Sequence, residues 1–247
     1  MRQESVEQLL VQLGPDDLVL DVGGWACPFN RAQWILDAQP WETRGFYRTF
    51  GGFPFQGPEE EWFTPETWVV RDICGPERWP FDDKTFDFAI CSHTLEDVRD
   101  PLFVCAELQR VAKRGYIEIP SRVWESCRGI ERPGMVGLSH HRWFVDRSAD
   151  GLEFLQKFSF VHTHWRFSLP RAYWRALPEE AKVTMLWWER SFPAREVTLH
   201  GVGTLEAAIE AYVRERYEYP AWRWGLFRLW KLARRVRSGV GRWLSWK

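Results

Sequence analysis

No stretch of this chain is both long and apolar enough to cross a bilayer as a helix. No two cysteines form a CxxC pair. The five, Cys27, Cys74, Cys91, Cys105 and Cys127, are scattered and odd in number, which argues against a disulfide scaffold. With no signal peptide in view, they read as reduced thiols, and the expected compartment is the cytoplasm. Also missing are a lysine-bearing phosphate loop and a full GxGxxG turn, so the equipment for gripping a triphosphate or pyrophosphate is absent. What the chain has in excess is tryptophan, 17 in 247 residues. Indole is seldom wholly buried, so some of these rings should line a pocket or an interface. An apolar content of 45% is enough for one large α/β domain with a modest addition.

The stretch from Asp17 to Asp37 organises the rest. Leu18, Val19, Leu20 and Val22 form an apolar run broken by Asp21, Gly23 and Gly24 open a turn, and Trp34 to Leu36 lead to Asp37. This reads as a buried parallel strand, a turn that exposes backbone, a very short crossover, and a second strand ending in a carboxylate. In open α/β sheets the ligand lies beyond the carboxyl ends of such strands, which makes a nucleoside cofactor the first hypothesis. Asp21 and Asp37 would repel phosphate but suit hydroxyls, an ammonium or a sulfonium. Trp68 to Val70, Phe86 to Cys91 and Tyr116 to Ile119 are further strands, with Val183 to Trp188 as a later one. Val6, Leu9, Leu10 and Leu13 predict a short helix before the first strand, stopped at Gly14-Pro15. Asp100-Pro101 starts another, with Leu102, Cys105, Leu108 and Val111 buried and Lys113 and Arg114 near its carboxyl end. A later helix should begin near Thr204.

Between the third and fifth strands the chain reads WPFDDKTFD, then SHTLED, then the helix and KRG. With the glycine segment, this resembles the class I S-adenosylmethionine-dependent methyltransferases from roughly Leu18 to Pro120. The resemblance implies a doubly wound, mainly parallel sheet of the seven-stranded, Rossmann-like type, with S-adenosylmethionine as cofactor. By that likeness Asp21, Gly23 and Gly24 lie under the methionine part, Asp37 on the ribose hydroxyls, Asp72 with Ile73 beside the adenine, and Ser92 with His93 at the end of the fourth strand. Three features depart from the pattern: Trp25 to Asn30 replaces the small-residue continuation of the glycine loop, the first crossover is short, and Arg114 stands where proline is usual.

The segment after the fifth strand should supply acceptor contacts. Arg122, His140, Arg142 and Trp143 are the candidate substrate-binding residues, and His141 is the candidate proton acceptor, with His93 beside the cofactor. Trp143–Val145 and Leu152–Leu155 flank DRSADG, a hairpin within a substrate-side insertion over 121–170. His162 and His164 alternate with apolar residues as on one strand face, but without an HExxH or CxxC partner no metal ligand is assigned. The loop from Pro40 to Pro65, with Trp41, Phe46, Tyr47, Phe50, Phe53 and Phe55, is expected to close over the site.

Residues 1–220 form the catalytic domain in this reading, and 221–247 a basic amphipathic helix. That helix has no acid among its residues, so it suits an anionic membrane surface, with peripheral attachment. Packing on the domain, or on a second subunit of a homo-oligomer, is the alternative. The expected reaction is methyl transfer to an oxygen or nitrogen of a small-molecule or glycan-related acceptor. A cofactor-binding or assembly protein without turnover is one alternative. A nucleic-acid methyltransferase is another, disfavoured because the positive charge sits at the far carboxyl end of an otherwise acidic chain.

Overall fold

Parallel strands covered on both faces need apolar residues on both sides, and the short runs read above supply them. The computed structural model describes residues 1–47, 56–149 and 151–244. In chain order the elements are α1 (Gln3–Gln12), β1 (Val19–Val22), β2 (Trp34–Asp37), β3 (Trp68–Val70), β4 (Phe86–Ser92), α2 (Pro101–Val111), β5 (Ala112–Pro120), α3 (Arg122–Glu125), β6 (Trp143–Arg147), β7 (Leu152–Gln156), α4 (Arg171–Ala176), β8 (Val183–Glu189), β9 (Ala194–Glu196), α5 (Val202–Arg216) and α6 (Ala221–Leu244). Among the described residues the central sheet has six strands, in the order β3-β2-β1-β4-β5-β8. β1 to β5 are parallel, and β8 runs antiparallel on the edge of β5. The order reverses between β1 and β4, which opens a crevice at the carboxyl ends of those strands.

Alternation along the strands splits the core. Leu20, Val22, Leu36, Ala89, Cys91, Ile117 and Ile119 face one side, against Val104, Cys105, Leu108 and Val111 of α2. Val19, Ile35, Phe88, Ile90 and Tyr116 face the other, against Val6 and Leu9 of α1. A helix therefore covers each face, as a doubly wound sheet requires. Asp100 caps α2 by accepting from Phe103 N at 3.0 Å, and Pro101 takes the first helical position, where its missing N–H costs nothing. α2 stops at Val111 because β5 begins at once, pairing Ala112 with Phe86. Lys113 and Arg114 consequently sit on the strand, not on the helix end as expected, and bind Asp87 and Asp17, each at 2.7 Å.

β6 and β7 form the expected antiparallel hairpin, and β9 joins β7 to make a separate three-stranded sheet. His162 and His164 are not on a strand. His162 ends a short 3-10 turn, Ser159–His162, and its Nδ1 accepts from Val136 N at 3.0 Å; His164 caps the next, Trp165–Phe167, and its Nδ1 accepts from Arg166 N at 3.3 Å. Both imidazoles are thus committed to local backbone. In the long loop, Trp41 packs edge-on against Phe63 and Trp68, while Phe50, Phe53 and Phe55 lie outside the described residues.

The chain divides into two compact units, Met1–Leu199 and His200–Lys247. In the second unit, Leu205, Ile209 and Val213 of α5 are buried, whereas Trp222, Leu226, Leu229, Trp230 and Leu232 of α6 are exposed. Among the described residues no helix is long and apolar enough to cross a membrane.

Candidate active site

A cavity of about 940 Å³ lies at the carboxyl ends of the parallel strands. It is lined by Asp21 and the glycine turn after it, Asp37 to Gln39 at the end of β2, Asp72 to Cys74 after β3, Ser92 at the end of β4 with His93, Thr94 and Glu96 to Arg99 beyond it, and Pro120 at the end of β5. The strand order dictates this, because the reversal between β1 and β4 leaves their ends uncovered by a crossover. The volume is at the upper end for small-molecule sites, enough for a nucleoside and a second reactant.

The first wall is a cradle with no room for side chains. Gly23 has a φ of +79°, and a Cβ there would meet Thr94 Oγ1 at 2.2 Å; one on Gly24 would meet Asp21 Oδ2 at 2.3 Å. Both positions require glycine, and the bare backbone opens onto the cavity. Asp21 is buried and accepts from Phe29 N at 2.9 Å. Burial, resisted by that hydrogen bond and reinforced by the charge of Asp37, pushes its carboxyl up to about 7. Asp37 accepts from Gln39 N at 2.8 Å and Trp25 N at 3.1 Å, which aims the carboxylate, and burial raises it as well. With about four lone-pair sites on its two oxygens, the carboxylate still has room to accept from a ligand hydroxyl. Trp25, the departure from a small-residue loop, stacks on Phe46 with ring centroids 5.2 Å apart and donates from Nε1 to Thr43 O at 2.8 Å. The bulky residue therefore ties the turn to the long loop while still lining the cavity.

On the third strand's side, Ile73 supplies a buried apolar surface. Asp72 accepts from Cys74 N at 2.9 Å and pairs with Arg99 at 2.7 Å, and these two partners hold its carboxyl below the usual range. Its side chain is about half exposed, so the pair forms part of the rim. Ser92 Oγ is buried without a partner and borders the cavity. His93 follows in the left-handed region, with φ +51°. Its N–H donates to Glu118 O at 2.7 Å and its Nε2 lies 3.3 Å from Glu118 Oε1. Burial pushes the Glu118 carboxyl up, but hydrogen bonds led by that of His93 outweigh it and hold the group at about 2.

The wall facing this cradle is built around His141, which is buried. Its Nδ1 donates to Glu125 Oε2 at 3.0 Å, and its Nε2 lies 3.9 Å from Glu96 Oε1 and 3.8 Å from Asp97 Oδ1. Lys157 Nζ bonds the other Glu125 oxygen, which also accepts from Leu138 N at 3.0 Å. Gly137 permits this, since a Cβ there would strike Glu125 Oε1 at 2.0 Å. Both Glu96 oxygens and Asp97 Oδ1 are buried without hydrogen-bond partners. Burial, only partly offset by the His141 charge, pushes the Glu96 carboxyl up to about 8. Burial acts to lower the His141 imidazole, but Glu125, Glu96 and Asp97 outweigh it and raise the net value, making the ring a stronger base.

The fold thus brings Asp21, Gly23, Gly24, Asp37, Asp72, Ile73, Ser92, His93, His140, His141 and Arg142 around one space. Arg122 and Trp143 are not among its lining. Arg122 on α3 pairs with Asp146 of β6, and Trp143 donates to Val98 O at 2.8 Å while its ring packs on Phe154. The first pair ties α3 to the hairpin within the insertion, and the second ties the hairpin to the loop after β4. Glu96, Asp97, Glu125 and Lys157 had no role in the sequence reading. Glu96 and Asp97 lie within the SHTLED motif, but nothing in the linear chain signals that Glu125, and Lys157 32 residues later, share a buried contact.

Residues 60–117 match the family profile of the methyltransferase domain. A comparison with curated proteins gives no match. Among solved structures, the chain is similar to an S-adenosylmethionine-dependent methyltransferase from Mesorhizobium loti, with 13% identity over 62% of each chain and a TM-score of 0.35. It is also similar to one from Methanosarcina mazei, at 17% identity over 57% of this chain and 85% of that one, TM-score 0.36. A third, from Aquifex aeolicus, shows 21% identity over 47% of this chain and 64% of that one, TM-score 0.29. The chain spans about half the length of other solved structures that it matches.

Proposed function

We propose that this chain, of the class I S-adenosylmethionine-dependent methyltransferase type, transfers a methyl group to an oxygen or nitrogen of a small-molecule or glycan-related acceptor. The observation that carries the reading is the junction, in one cavity, of a glycine cradle with carboxylates at two strand ends and a facing wall of buried histidine and acids. The donor's fit rests on three features of that cavity. The glycine turn has no room for a Cβ, Asp37 has lone pairs to offer the ribose hydroxyls, and Ser92 Oγ has no partner among the described residues. When bound, S-adenosylmethionine supplies an electrophilic methyl group on a sulfonium. Asp21, Gly23 and Gly24 would hold its methionine portion, Asp37 the ribose, and Ile73 with the Asp72–Arg99 pair the adenine side.

The remaining work is alignment and proton removal. Holding two reactants in line supplies much of the rate in such transfers, and a base is needed only where the acceptor sheds a proton during attack. Glu125 fixes the His141 ring through Nδ1, which leaves Nε2 to receive that proton beside Glu96 and Asp97. Arg142, exposed at the rim, suits an anionic group on the acceptor. For α6 the proposed partner is an anionic bilayer surface, on the ground of its exposed tryptophans and leucines and its freedom from acidic residues.

Calorimetric titration of S-adenosylmethionine into the protein tests the cofactor site, and absence of binding would defeat the reading. With an acceptor found by following S-adenosylhomocysteine release, His141→Ala should lower kcat far more than it lowers cofactor affinity. A variant with unchanged kcat would remove His141 from the proton role, and cofactor binding without turnover on any acceptor would favour a binding or assembly role.

A further inference from the structure

The sequence reading assigned no metal ligand, yet Asp97, His140 and His141 each place one donor atom within 4.8 Å of the other two. We propose that these three side chains bind a divalent first-row cation of the zinc type, with Glu96 beside it as an unpaired carboxylate.

The spacings are those of a gap, not of hydrogen bonds. His141 Nε2 lies 3.8 Å from Asp97 Oδ1, and His140 Nε2 lies 3.9 Å from Asp97 Oδ2. Contacts that long do not satisfy either partner. Two ligands bound at about 2.1 Å around a tetrahedral ion stand roughly 3.4 Å apart, so a small inward movement brings these atoms onto one centre. The widest separation must close most, through movement of the exposed His140 ring, which packs edge-on against His141 with centroids 4.6 Å apart. Two imidazoles and a carboxylate also form a donor set suited to zinc, leaving a fourth position open to the cavity.

A buried side chain outside the three ligands, and the orientation of one ligand, point to a cation as well. Glu96 is 2% exposed, neither of its oxygens has a hydrogen-bond partner among the described residues, and Oε1 stands 3.7 Å from His93 Nδ1 and 3.9 Å from His141 Nε2. Burial disfavours its charged form, and a cation beside it would stabilise the ionised carboxylate. His141 is also oriented as a ligand, because its Nδ1 donates to Glu125, which Lys157 anchors in turn. A carboxylate behind one ring nitrogen sets the tautomer and leaves the other nitrogen as a donor to metal. Coordination would occupy His141 Nε2, so in the metal-loaded protein Glu96 becomes the group facing the acceptor's proton.

The test is a binding measurement that needs neither methyl donor nor acceptor, so its failure is separate from failure of the methyltransferase reading. The full chain is stripped with a chelator and titrated with Co²⁺ while visible absorption is recorded, then with Zn²⁺ by calorimetry. One equivalent of Co²⁺ should give the intense ligand-field bands of four- or five-coordinate cobalt, and Zn²⁺ should bleach them. His140→Ala, at an exposed position, and Asp97→Asn should abolish the bands, and Glu125→Gln should weaken Zn²⁺ binding by roughly ten- to a hundredfold. Each variant's melting curve checks that it is folded. Absence of stoichiometric binding by the unaltered chain overturns the proposal. So does binding that persists unchanged in folded His140→Ala and Asp97→Asn.

Discussion

Asp21 shows how the environment of one residue sets its chemistry. Its carboxyl is pushed up to about 7 by burial and by the neighbouring Asp37 charge, against an ordinary value of 3.8. In the unfolded chain it ionises near pH 4, so between pH 4 and 7 the folded protein binds the extra proton. Stability contributed by this group is therefore full at low pH, falls as pH rises through that window, and levels above about 7. The accumulated loss is on the order of 4 kcal/mol at most. Asp21→Asn keeps the shape and removes the titration, so the difference in Tm between variant and parent should shift in the variant's favour from pH 4.5 to 7.5. Parallel Tm curves across that range would show that Asp21 does not titrate there. Asp37 tests the cofactor side of the same pair. Asp37→Ala should weaken S-adenosylmethionine binding about ten- to a hundredfold, the loss of a charged hydrogen bond worth roughly 1.5–3 kcal/mol, with the fold retained. Equal affinity in a calorimetric comparison would take Asp37 off the ribose.

At the scale of elements, the site depends on how closely β4, β5 and β8 approach. Gly115 lies on β5 opposite Ala89 on one side and Trp188 on the other. A Cβ there would meet Ala89 O at 2.3 Å and the Trp188 ring at 2.7 Å, the former a backbone atom that cannot swing aside. Gly115→Ala should cost roughly 1–3 kcal/mol by overpacking, read as a lower urea midpoint at constant slope. An unchanged midpoint would mean that the three strands can separate locally without penalty. The same register explains why α2 runs directly into β5, since pairing of Ala112 with Phe86 takes the backbone of residues that composition alone assigned to a helix end.

At the scale of the whole molecule, charge is unevenly shared along the chain. The formal net charge is −1, but residues 221–247 carry no acid, and α6 exposes Trp222, Leu226, Leu229, Trp230 and Leu232. A helix of this kind lies in a membrane interface when its apolar side enters the headgroup region and its arginines meet anionic lipid. Sedimentation with anionic vesicles should carry down the full chain, weaken as salt rises, and fail for a chain ending at Pro220. No binding by the full chain would exclude the membrane. Loss of solubility or of oligomeric state on truncation would instead assign the apolar side to protein packing.

The sequence by itself determined the parallel sheet, because strands covered on both faces must be apolar throughout and those runs are short, local and bounded by turns. It also marked out one wall of the cavity: Asp21, Gly23, Gly24, Asp37, Asp72, Ile73 and Ser92 each stand within a few residues of a strand's carboxyl end, and strand ends converge by topology. The insertion was legible as a hairpin for the same local reason. Only the tertiary structure decided the opposite wall. Glu96, Glu125, His141 and Lys157 come from four separate segments, and no periodicity links them until the insertion folds back over the sheet. That folding also withdrew Arg122 to Asp146 and Trp143 to Val98, and gave His162 and His164 to nearby backbone. A polar side chain's role follows from which partner reaches it first in three dimensions, and neighbours along the chain do not specify that partner.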